Sequence, residues 1–175
     1  MSYIERDEAE RAEFLKDLEE IPEELRVYID ESGKHTDLDR THGYAPRGEK
    51  VEGKTHGRKP EKLNIVAAKC GGVVFKELLY NCSMQSWLFE FWFAMLLECM
   101  TPGHWFIMDN ATFHRKEVLR QMAEAVGCHV LFLPAYSPDL NKIEPEWANL
   151  KAFLRNYSRF YDSVQLAIYH YFNSA

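Results

Sequence analysis

Twice along the chain a short apolar run ends on an aspartate: LRVYIDES, from Leu25, delivers Asp30, and HWFIMDN, from His104, delivers Asp109. Runs of this length, rich in strand formers, suit buried strands of a sheet covered by helices. In open α/β sheets, ligands collect beyond the carboxyl ends of the strands. Two such strands lying side by side would bring Asp30 and Asp109, each at its strand's end, to one place. Like charges held that close call for a cation.

The remaining segments supply the rest of an α/β order. LNIVAAKC and GVVFKELLY, joined by Gly71-Gly72, predict an antiparallel hairpin. Residues 83–100 are too long for one strand and place Trp87, Leu88, Phe91, Trp92, Met95, Leu96 and Cys99 at spacings of three and four, which predicts a well-buried helix on that face. HRKEVLRQMAEAV predicts an amphipathic helix, HVLFLP a third buried strand, AYSPDLN a turn-rich loop, and KIEPEWANLKAFLRN and DSVQLAIYHYF two closing helices. Parallel strands must be joined by crossovers, so a mixed sheet flanked by helices is expected.

At 175 residues with 46% hydrophobic content the chain can bury a real core within one domain. The leading segment stands apart: Ile4, Phe14, Leu15, Leu18 and Ile21 recur near helical spacing among charges up to Pro22, which divides the chain into an N-terminal amphipathic helix or linker, 1–22, and a main domain, 23–175. No run of about 18 uncharged apolar residues occurs and the first residues are charged, so no signal peptide or membrane span is expected and the protein is expected in the cytoplasm. Cys70, Cys82, Cys99 and Cys128 lie far apart without a C-x-x-C pair, which reads as reduced, mostly buried thiols and not as a zinc site.

A third carboxylate, Glu144, falls early in the helix after the third strand, where a polar loop can present it to the same sheet edge. Three carboxylates without a cysteine or histidine cluster suit Mg²⁺ or Mn²⁺, hard ions that take oxygen ligands and work in pairs on phosphates. Glu146, two residues on, would point to another helix face. Asp139 reads as a turn residue, Tyr136 and Pro138 as residues that shape the loop, and Trp147 as core, with stacking on a base as its alternative. Asn110 and His114 flank Asp109, either as groups behind a ligand or as a turn amide and a helix-start histidine.

YIDES, FIMDNATFH and LPAYSPDLNKIEPEWANLK together resemble the catalytic domain of the IS630/Tc1/mariner superfamily of DDE transposases, over about residues 22 to 160. Asp109 and Glu144 are separated by 34 residues, a separation typical of many members. The resemblance implies an RNase H-like fold in 23–175, a metal triad of Asp30, Asp109 and Glu144 holding two ions, and cutting and joining of element ends on DNA in the nucleoid. Where many members have Pro, this chain has Lys142. Full-length members begin with helix-turn-helix domains, so a separate helix-turn-helix polypeptide from an upstream reading frame is an expected partner, and pairing of two ends is compatible with a homodimer. The other readings are a catalytically silent DNA-binding remnant and a general RNase H-like nuclease. The net charge of -6 opposes DNA binding, but residues 1–24 hold ten acids against three bases, leaving 17 acids and 18 bases elsewhere. Residues 34–62 carry eight bases against five acids, which would suit either a phosphate backbone or a solvated loop.

Overall fold

The computed structural model describes residues 7–35 and 62–173. Helix α1 (Glu8–Glu19) is capped by Asp7. It leads to strand β1 (Arg26–His35), the hairpin β2 (Lys62–Cys70) and β3 (Val73–Tyr80), helix α2 (Ser86–Leu97), strand β4 (Trp105–Met108), helix α3 (Lys116–Glu124), strand β5 (His129–Phe132), and helices α4 (Glu144–Tyr157) and α5 (Val164–Asn173). One five-stranded sheet runs β3-β2-β1-β4-β5. The first three strands are antiparallel, while β1, β4 and β5 are parallel. This is the mixed, helix-flanked sheet of an RNase H-like fold. The β2–β3 turn needs positive φ at both central positions, supplied by Gly71 (φ 55) and Gly72 (φ 86).

Strand alternation sorts the core into two layers. Tyr28 and Ile107 face a cluster with Phe14, Leu18 and Ile21 of the α1 region, Trp147, Leu150 and Leu154 of α4, and Ile168 of α5. The stripe of the leading helix therefore packs on the sheet. On the other face, Val27, Ile29, Phe106 and Met108 meet α2 and α3.

Several expectations are corrected. Asp30 is not at the end of its strand: β1 continues to His35, paired with β2 from Tyr28 to His35, whereas its register with β4 ends at Tyr28↔Ile107. What ends beside Asp30 is the parallel neighbour. The buried face of α2 is also different. Phe89, Trp92, Phe93, Leu96 and Leu97 are buried, while Trp87 and Phe91 are exposed at 66% and 60%. Trp92 and Leu96 are buried as expected, but in an almost wholly apolar helix the buried stripe is shifted to include Phe89, Phe93 and Leu97. The thiols are not mostly buried, since Cys82 and Cys99 are exposed, Cys70 is intermediate and Cys128 is buried. Ile4, the GYAPRGEK turn and the basic positions from Arg40 to Lys59 lie outside the described residues.

Candidate metal centre

The parallel register of β1 and β4, continued two residues beyond Tyr28↔Ile107, sets Asp30 beside Asp109. Asp109 is the first residue after β4, and the chain leaves the sheet there. The exit is pinned twice: the Asp109 carboxylate accepts from the Ala111 amide at 3.0 Å, and the Asn110 side-chain amide donates to the Leu133 carbonyl at 2.8 Å. Asn110 thus ties the exit of β4 to that of β5. From there, residues 133–141 fold back over the sheet edge, and the buried Asn141 donates to the Ile29 carbonyl at 3.0 Å. That bond places the start of α4, and with it Glu144, over the end of the β1–β4 pairing.

The result is one cleft of about 360 Å³ whose walls include Asp30, Asp109 and Glu144, closed on one side by residues 133–138 and Asn141. The three acids picked from the sequence are together. Glu146 is not among the lining residues; it accepts from the Lys69 ammonium of β2 at 2.7 Å. Asp139 is ion-paired with Arg11 of α1. Trp147 is core, 2% exposed, and its indole N–H donates to Asp30 at 2.8 Å. It holds a carboxylate and presents no face for stacking. Tyr136 lines the cleft in the left-handed region (φ 56), half exposed.

The acids are in different electrostatic states. Burial, and next the Glu144 carboxylate, push Asp30 up to about 7, against the indole bond that favours its charged form. At Asp109 burial also opposes ionisation, but the His114 and Ala111 hydrogen bonds outweigh it and hold the carboxyl below its ordinary range. His114 Nδ1 lies 3.0 Å from the Asp109 carbonyl and 3.3 Å from its carboxylate. Burial opposes the charged imidazole, yet Asp109 and Glu31 raise it to about 9. His114 lies two residues before α3, which begins at Lys116, and its Nδ1 is turned to Asp109.

Loss of the indole donor makes a specific prediction. In Trp147→Phe the Asp30 titration should move up by about one unit, the worth of a hydrogen bond to a charged group. Carboxyl-carbon NMR of labelled aspartate reads it directly, and an unmoved titration would mean the bond does not hold Asp30.

The residues suit a hard divalent cation. The cleft offers oxygen donors, burial and next the like charge of Glu144 raise Asp30, and the buried Asn141 Oδ1 has no hydrogen-bond partner. Among the described residues, the one group of three whose ligand atoms lie within 4.8 Å of one another is instead Glu31, Asp109 and His114. There, however, both imidazole nitrogens face oxygens, with Phe89 and Phe113 against the ring. That grouping is an ionic link behind the cleft. Glu31 is the residue sequence reasoning missed. Its one signal was being the second acid of IDES, which alternation sends to the opposite face from Asp30.

A family model described as DDE superfamily endonuclease matches residues 26–167. Among solved structures, the chain is similar to a pre-cleavage Mos1 transpososome (TM-score 0.71, 16% identity, 96% of this chain and 54% of that one). It is also similar to the Mos1 transposase paired-end complex with left transposon end (0.70, 17%, 88% and 50%). The Mos1 transposase catalytic domain with Raltegravir and Mn matches at 0.63 and 15% identity, covering 96% of this chain and 80% of that one. The chain spans about half the length of the first two. No curated protein matches it significantly by sequence.

Proposed function

Since the chain belongs to the DDE superfamily endonucleases, we propose that it is the catalytic part of a DNA transposase that cuts element ends and joins them to target DNA, with Asp30, Asp109 and Glu144 as the metal-holding carboxylates. The observation that carries this reading is the gathering of these three acids, from β1, the β4 exit and the start of α4, around one cleft. Two divalent ions, Mg²⁺ or Mn²⁺, would supply activation of the attacking oxygen and neutralisation of the leaving one.

The protein's own groups prepare for that. His114 and the Ala111 amide keep Asp109 ionised and aimed. The Asp30 carboxyl, pushed up to about 7 by burial and by Glu144, would have to release its proton to hold a cation. Glu144 stands exposed on the first turn of α4, on the opposite wall. The loop 133–138, with Pro134 and Ser137 buried, walls the cleft on one side and would limit how a phosphate approaches. Within the leading segment 1–22, helix α1 acts as a brace on the catalytic domain 23–175 through Phe14 and Leu18. End recognition is assigned to a separate helix-turn-helix polypeptide, synapsis to a homodimer, and the place of action to the nucleoid.

Asp30 makes metal binding pH-dependent. Protons compete for a carboxylate titrating at about 7, so the Mn²⁺ dissociation constant should be about tenfold higher at pH 6 than at pH 8, with proton release on binding. Calorimetry in buffers of different ionisation heat checks both, and a flat profile would remove Asp30 from the ligand set.

The deciding assay is nicking and joining of labelled element-end DNA by the chain, alone and with the upstream polypeptide, in Mg²⁺ or Mn²⁺. Nicked ends that are then joined support the transposase reading. Cutting without joining would point to a general RNase H-like nuclease, and binding without cutting to a silent remnant.

A further inference from the structure

We propose that Glu31, on the face of the sheet opposite the cleft, positions Asp109 through His114; the proposal rests on Asp109 being a metal ligand. Asp30 and Glu31 are adjacent on β1, so the strand sends one toward α4 and the other toward α2 and α3. His114 is packed on that second side. Its side chain is 1% exposed, its ring lies 4.2 Å from that of Phe89 and 4.5 Å from that of Phe113, and its two nitrogens point to different acids.

The hydrogen positions follow from the partners. Nδ1 faces the Asp109 carbonyl at 3.0 Å and the Asp109 carboxylate at 3.3 Å, both acceptors, so Nδ1 carries a hydrogen. Nε2 lies 3.7 Å from Glu31 Oε1, an ion-pair separation longer than a hydrogen bond, and neither atom has a hydrogen-bond partner. Two buried groups without other partners thus face each other, and their attraction favours this orientation of the ring. A ring held that way keeps its Nδ1–H on Asp109. Without Glu31 an orphaned Nε2 in an aromatic wall would favour turning the ring, and Asp109 would lose its aim. Half-exposed at the mouth of a loop, Asp109 has little else than the Ala111 amide to orient it.

Binding of Mn²⁺ followed by electron paramagnetic resonance, without DNA, tests this on the folded chain. Glu31→Ala and His114→Ala should each weaken Mn²⁺ binding by about tenfold, the scale of partners behind a metal ligand. Glu31→Gln should bind within about threefold of wild type, because an amide offers the imidazole either a donor or an acceptor. The double alanine variant should be no weaker than His114→Ala alone, as for residues acting in series. If Glu31→Ala does not fold, Glu31→Met fills the same space without a polar group and should show the same loss. Wild-type binding by the folded alanine or methionine variant, or additive losses in the double variant, would overturn the positioning role. Loss of binding in Asp109→Ala beside full binding in Glu31→Ala overturns that role alone. Full binding in Asp109→Ala overturns the ligand reading and this proposal with it.

Discussion

Asp109→Ala, Glu144→Ala and Asp30→Asn should each lower DNA cleavage by about a thousandfold or more, since a misplaced or missing ion forfeits several kcal/mol of transition-state stabilisation at about 1.4 kcal/mol per tenfold. Single-turnover cleavage of a pre-nicked end measures this without the binding steps. The substitutions should separate activity from folding. Asp109 and Glu144 are at an exit loop and a helix start, half-exposed and exposed, so removing them disturbs few packed atoms. Asp30→Asn keeps an oxygen to accept the Trp147 indole N–H. Its stability should even rise near neutral pH. A buried carboxyl raised to about 7 binds its proton more tightly folded than unfolded, so its ionisation costs stability as pH climbs from about 4 to 7. Asparagine removes that cost. A folded Asp30→Asn that cleaves at the wild-type rate would end the triad assignment.

The second large effect concerns α2. Phe93 is fully buried, its ring 5.0 Å from Phe106 in an edge-on contact and 6.2 Å from Phe89. Phe93→Ala should therefore cost about 3–5 kcal/mol in urea unfolding. Phe91, two residues earlier and 60% exposed, should cost less than about 0.5 kcal/mol. Equal costs would mean that the helix is turned so that Phe91 packs against the sheet.

That pair also marks where sequence was and was not enough. The strands could be read because four or five apolar residues ending on Asp leave few alternatives, and Gly71-Gly72 fixes a hairpin by its backbone freedom alone. The facing of α2 could not be read from periodicity, because nearly every position in SWLFEFWFAMLL is apolar and contrast is what a helical stripe needs. The exit of β4 was legible as an Asp after WFIM; the continuation of β1 past Asp30 was not, since it depends on pairing with β2, more than thirty residues downstream. Asp30, Asp109 and Glu144 were visible as a motif. Glu31 was hidden by adjacency, since nothing local says that the next acid along a strand serves the same centre from behind. Trp147 was read as core, which it is, but its bond to Asp30 spans 117 positions and has no local signature.

The distance between those partners has a consequence for the growing chain. Asn141 reaches back 112 positions to Ile29, and Trp147 reaches back 117 to Asp30. Contacts of such high sequence separation are slow to close and cannot form until their later member exists. During synthesis, the sheet strands through β5 emerge before α4, carrying Asp30 and Asp109 without the wall that bears Glu144. A chain that ends before α4 lacks the wall bearing Glu144, and the contacts of Asn141 and Trp147 with β1 form only once those residues have been added. The order of synthesis thus separates the two acids of the sheet from the one on α4, and the indole that holds Asp30 arrives last of all.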